Sequence, residues 1–328
     1  MITFLPAIVM STLIATLPPV VTASPPSPDS NPPIRSSQID ACQITAGTRV
    51  TVQLPDGDAT TFVFIPPNEF VMGDADAANA DPIVKILQAT VGQGSSPPST
   101  SLPLRKTTIR SWLYFAETKT TTAQFCAFLN AVEKNDNYYV ANSWSTIERV
   151  EGRFRPRGDC GQAPISTVTF EGASAYCAWL SATTGMRCRL PTEAEWELAA
   201  RGPTARRYAW GNSIEEAGRV SSPHGEPTSV YTYPKGRTPE GLYGMFGTVG
   251  EWCQDWYAPN ILPDQIVDPA GPSEGDSKVL RGRGAEATRR SQGPVGIDLN
   301  AGIYGFRPVI DVTPTDKPSR LGRSTSKR

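Results

Sequence analysis

The chain has 328 residues, 39% hydrophobic and 19% charged, which is enough apolar content to bury one large core or two ordinary ones. A formal net charge of -1 removes the electrostatic reason to expect nucleic acid as a partner. A single histidine, His224, excludes any multi-histidine metal site built by this chain alone, while 31 prolines and 28 glycines point to abundant turns and irregular backbone.

Residues 1–23 open with an uncharged apolar run, and Val21 and Ala23 stand where the small residues of a signal-peptidase site belong. No Lys or Arg precedes the run, so an uncleaved anchor is the competing reading, but Pro18 and Pro19 interrupt it before it makes a convincing span. Export to the periplasm or the outside is therefore expected, with membrane contact only if the segment stays uncleaved. Residues 24–57 read as a Pro/Ser-rich leader and linker. One α+β domain is expected over residues 58–312, and residues 313–328 read as a disordered basic tail.

Within the domain, Thr60–Gly73 carries two apolar runs around Pro66 and Pro67, which predicts strand, bend, strand. Residues 74–102 read as a surface insertion, and the segment "TTIRSWLYFAET" alternates as one further strand. Three helices are legible. Phe125, Phe128, Leu129 and Val132 recur at helical spacing, as do Ala173, Tyr176, Cys177 and Leu180 before the stop at Gly185. The third begins at Thr192, whose capping box is completed by Glu195, and buries Trp196, Ala199 and Ala200. Between the first two helices a hairpin turns near Glu151–Gly152, and beyond Gly202 turns and short strands prevail.

Few residues suggest chemistry. Glu193, Glu195 and Glu197 are explained by capping, helix dipole and a solvent face; residues two apart project about 200° apart, so the three cannot meet at one substrate atom. His224 lies in a polar turn. Six cysteines, at 42, 126, 160, 177, 188 and 253, form an even set that an oxidising compartment could pair, but Cys126 and Cys177 sit in apolar helical stretches where buried free thiols fit as well. Trp256, with Trp252 and Tyr257, is either a stacking surface or core. Arg281, Arg283, Arg289 and Arg290 could clamp an anion, or pair with Asp255, Glu286 or Asp298.

The segments "FIPPNEFVMG", "APISTVTFEGASAYCAWLSATTG", "RLPTEAEWELAARG", "YAWGN", "GLYGMFGTVGEWCQDWY", "VLRGRG" and "YGFRPV" occur in an order that resembles the formylglycine-generating enzyme (sulfatase-modifying factor) family. The resemblance implies a variant of the C-type-lectin fold with short sheets and much irregular backbone. The family's oxidase holds copper with two closely spaced cysteines in its C-terminal part, and this chain has no cysteine from Val279 onward. Copper is therefore not expected, and the family's three-histidine iron branch fails on the histidine count. A calcium site is implied at the carbonyls of Gly247 and Val249 and the Glu251 side chain, weakened because Gly244 and Thr248 replace side-chain ligands. The arginine segment is implied to line the family's ligand-facing groove. These features point to an exported member without catalytic residues, acting as a binding or scaffold module for a small-molecule, peptide or protein ligand of anionic character. The alternative is a periplasmic enzyme of a noncopper branch, similar to the family's siderophore-chromophore oxidase, with Glu251 as a candidate.

Overall fold

A computed structural model describes residues 45–54, 58–73, 104–133, 137–216, 220–222, 225–258, 266–283, 290–294 and 303–312, with backbone only at 290–294. Strands β1 (Arg49–Gln53), β2 (Ala59–Ile65), β5 (Trp112–Ala116), β13 (Val309–Val312) and β8 (Cys188–Arg189) form an antiparallel sheet in the order β1-β2-β5-β13-β8. The last described strand thus lies inside the sheet, fourth in the order, between β5 and β8. Because side chains alternate along a strand, β2 and β5 give the sheet two apolar faces. Phe62, Phe64 and Tyr114 face one core, while Val63, Ile65, Leu113 and Phe115 face the other.

The first core is closed by helices α1 (Thr122–Ala131) and α2 (Phe170–Thr184), through Phe125, Phe128, Leu129, Tyr176 and Leu180. Helix α1 starts in a capping box, Thr121 accepting from the Gln124 amide while the Gln124 side chain accepts from the Thr121 amide. Helix α2 ends at Gly185, whose φ of 69° is the left-handed conformation that glycine adopts without a Cβ penalty. The second core is closed by α3 (Glu193–Arg201), through Ala194, Trp196, Leu198, Ala199 and Ala200. The Thr192–Glu195 capping box read from the sequence is present.

A second sheet runs in the order β11 (Arg290–Pro294), β10 (Ser277–Arg281), β9 (Gly250–Trp256) and β12 (Tyr304–Gly305), with only β9 and β12 parallel. Two hairpins complete the fold. β3 (Asn68–Met72) pairs with β4 (Arg105–Ile109), and β6 (Ile147–Val150) with β7 (Arg153–Pro156). The latter turns through Glu151 and Gly152 at φ of 50° and 81°, as a two-residue turn matched to strand twist requires.

Three expectations need correction. The segment "TTIRSWLYFAET" is not one strand: β4 and β5 are separated at Arg110–Ser111 and belong to different sheets. β1 lies inside residues 24–57 and pairs with β2 through five registered positions, so the folded part begins before residue 58. The glutamates of α3 have no solvent face, since Glu193, Glu195 and Glu197 are all buried. Residues 1–44, 74–103 and 313–328, which carry the signal segment, most of the leader, the surface insertion and the tail, lie outside the described residues, as does His224.

Candidate functional site

Loops from distant parts of the chain converge on a cavity of about 300 Å³. Lys119 enters it from the segment between β5 and α1, Trp144 from the loop before β6, and Ser166 from the loop before α2. Residues 220–222 and 225–230 form another wall, and Tyr243–Val249, leading into β9, a third. Local hydrogen bonds hold these loops in place. The Ile165 amide donates to the Thr120 carbonyl and the Thr120 amide to the Phe306 carbonyl, which fixes the backbone just after Lys119. The Ser166 hydroxyl donates to the Trp144 carbonyl at 2.6 Å, and the Trp144 amide to the Asn142 side chain at 2.9 Å. Trp144 itself is 52% exposed and stands at the mouth.

The buried end rests on a charge cluster. Glu251, on β9, is wholly buried and both its carboxylate oxygens are occupied. Oε1 accepts from Lys119 Nζ at 2.6 Å and from an Arg307 nitrogen at 3.0 Å; Oε2 accepts from Arg307 Nε at 2.7 Å and from the Trp196 indole at 2.9 Å. Lys119 also donates to the Gly244 carbonyl. Burial alone would raise the Glu251 pKa, but Arg307 and then Lys119 outweigh it and hold it at about 2. Burial depresses the Lys119 ammonium below the ordinary lysine value, Glu251 opposing this and Arg307 adding to it.

This arrangement does not fit calcium. Gly247 and Val249 line the cavity, but the Glu251 carboxylate is already saturated by two cations and an indole. The Lys119 ammonium occupies the space between that carboxylate and the Gly244 carbonyl, where a second positive charge would be repelled. Among the described residues, no three His, Cys, Asp or Glu side chains gather to hold a metal.

Of the arginines, Arg281 is buried against α3 and not in a groove. Its guanidinium spans Glu193 at 2.9 Å and Glu197 at 2.8 Å, and lies over the Trp196 ring at 5.0 Å. Two glutamates one helical turn apart share a face, so this pair does converge, on a structural cation. Of the carboxylates offered as alternatives for the arginine segment, Glu286 and Asp298 lie outside the described residues. Arg283 is exposed and bridges Gly247 through its backbone, beside the cavity wall. Arg290 is placed only as a strand position opposite Arg281, and Arg289 lies outside the described residues. Trp256 does not line the cavity; the Lys278 ammonium sits 3.6 Å from its ring centre. The sequence reading missed Lys119, Trp144 and Arg157, which line the cavity from segments outside the quoted motifs, and Tyr243, which lies within "GLYGMFGTVGEWCQDWY" but carried no site signal of its own. It also missed the role of Arg307, although "YGFRPV" had been singled out.

Among the described cysteines, Cys126, Cys160, Cys177, Cys188 and Cys253 are all free thiols. None lines the cavity. Burial pushes Cys126 and Cys188 to about 12, and drives Cys177 and Cys253 well above the ordinary thiol value.

Several known proteins are similar to this chain. The formylglycine-generating enzyme of Streptomyces coelicolor is 31% identical over 305 residues, covering 76% of this chain and 88% of that one. The serine/threonine-protein kinase pkn1 of Chlamydia pneumoniae is 35% identical over 224 residues, 63% of this chain and 34% of the kinase. The chain thus spans about a third of the length of the chlamydial kinases it matches. The solved structure of PvdO from Pseudomonas aeruginosa superposes with a TM-score of 0.59 at 21% identity, covering 82% of this chain and 100% of PvdO, a likeness of fold. Residues 48–312 match the family described as "Sulfatase-modifying factor enzyme 1-like domain", and the chain belongs to that family, with its formylglycine-generating-enzyme variant of the C-type-lectin fold.

Proposed function

We propose that this chain is an exported binding module of the family that does not make formylglycine, and that the cavity behind Trp144 is its ligand site. One observation carries the reading: the C-terminal segment, where the family's oxidase holds its copper with a cysteine pair, has no such pair. No cysteine follows Cys253 in the sequence, and Cys253 is wholly buried with its thiol held protonated by burial. Soft thiolates are the ligands that suit Cu(I), and only the deprotonated sulfur coordinates. What remains is a cavity walled by Trp144, Tyr233, Tyr243 and Phe246 with several hydroxyls between them, the usual composition of a small-ligand pocket. A noncopper enzyme would need a proton-transferring group in that cavity. Glu251 does not supply it, being locked in its ionised form by Arg307 and Lys119.

The test is to incubate the purified protein with copper, oxygen and a cysteine-containing sulfatase peptide. Mass spectrometry should find the peptide unchanged; conversion of its thiol to an aldehyde overturns the reading. Export is tested separately by fractionating cells, with the mature chain expected outside the cytoplasm and starting near Ser24.

A further inference from the structure

We propose that the cavity selects an anion, and that its ligand is a small molecule joining an aromatic ring to a carboxylate. This deepens the binding-module reading and rests on it. The argument starts from a count of buried charge. Lys119, Arg307 and Glu251 have side chains 4%, 0% and 0% exposed, so among the described residues two cations face one carboxylate. The neighbouring acid, Glu117, does not balance them, because Arg49 holds it in a separate pair at 3.0 Å. Arg307 donates to the carbonyls of Ala116 and Tyr243, and Lys119 to that of Gly244. Such dipoles make the burial tolerable without cancelling the net charge.

Of the three charged groups only Lys119 lines the cavity, so the excess positive charge is presented there. A second cation, Arg157, lines it from the exposed side. Arg157 donates to the Ser143 carbonyl at 3.3 Å and forms no ion pair among the described residues. The acidic lining residue, Glu226, is exposed and takes the Ser222 hydroxyl, and at the mouth water and salt screen it. At the buried end the apolar walls raise the effective strength of the Lys119 field. An entering carboxylate exchanges its hydration for that charge and for hydroxyls such as those of Thr248 and Ser221. The aromatic walls and the small volume favour one ring over a long chain.

Isothermal calorimetry on the full chain tests this with matched pairs: phenylacetate against phenylacetamide, and indole-3-acetate against indole-3-acetamide. Each acid is expected to bind at least about tenfold more tightly than its amide. The preference should shrink with added salt and fall further in Arg157→Gln, while Trp144→Ala weakens acid and amide alike. Equal binding of acid and amide, or tighter binding of the cation phenethylamine, overturns the charge inference and leaves the cavity as a ligand site. Absence of binding by all five probes overturns both.

Discussion

Two buried charge networks meet at one tryptophan. The Trp196 indole N–H donates to Glu251 on one side, and the ring face carries the Arg281 guanidinium on the other. Behind α3, Arg281 and Arg201 face Glu193 and Glu197, two cations for two carboxylates, and Glu197 also accepts the Gly73 amide at 2.8 Å. Toward the cavity, Lys119 and Arg307 face Glu251 alone among the described residues. The same residue types therefore serve two ends. A network in which cations and carboxylates answer each other holds backbone together, here tying α3 to β10 and to the end of β3. An unbalanced one that touches a cavity leaves a field for something else to answer.

The largest effect is expected from breaking the balanced network. Arg281→Met leaves Glu193 and Glu197 buried and facing each other, and should cost about 3–5 kcal/mol in denaturant unfolding. A loss near zero would mean that α3 is held by its apolar stripe alone. Next comes the acid limb. Because Glu251 is held at about 2 against an ordinary 4.5, its stabilisation is complete above pH 4.5 and disappears as pH falls toward 2. Thermal unfolding of Glu251→Gln should start from a lower melting temperature at pH 7 and decline less across that window.

The contrast also explains what could be read from the sequence. Helices α1, α2 and α3, the Thr192–Glu195 capping box and the Glu151–Gly152 turn are local, and each was legible from spacing or from one or two residues. Burial of Glu193 and Glu197 was not, because the cation that neutralises them, Arg281, lies more than eighty residues away in the chain. Arg281 was noticed for its charge, but charge alone does not say whether an arginine meets a ligand or a helix. The cavity was least legible. Its aromatic walls come from separate loops, with serines, threonines and glycines of loops such as 220–222 and 225–230 between them, and only the fold brings them to Lys119.

Smaller effects refine the comparison. Asp255 accepts the Glu193 amide at 2.8 Å, at the end of the balanced network, and burial followed by the Glu193 charge pushes its pKa up to about 7 from 3.8. The folded state therefore keeps a proton that the unfolded chain loses, and stability falls as pH rises from 3.8 to about 7. Asp255→Asn retains the acceptor without the charge. It should gain on the order of 1–2 kcal/mol at pH 8 and change little at pH 4, as read by chemical unfolding at both pH values.

Lys119→Met should have the smallest effect on stability, and it tests the idea of imbalance most directly. Removing Lys119 leaves Glu251 with Arg307 on both oxygens and the Trp196 indole, one cation for one carboxylate. The lost bond to the Gly244 carbonyl is offset by ending the burial of a surplus ammonium. The net change at pH 7 should stay within about 1 kcal/mol, well below that of Arg281→Met. The pH profile supplies the sign. A lysine held below 10.5 in the folded state makes stability rise with pH between its folded value and 10.5, and Lys119→Met should flatten that rise. If Lys119→Met instead costs as much as Arg281→Met, the ammonium belongs to a structural network like that of α3, and the cavity inherits no excess charge from it.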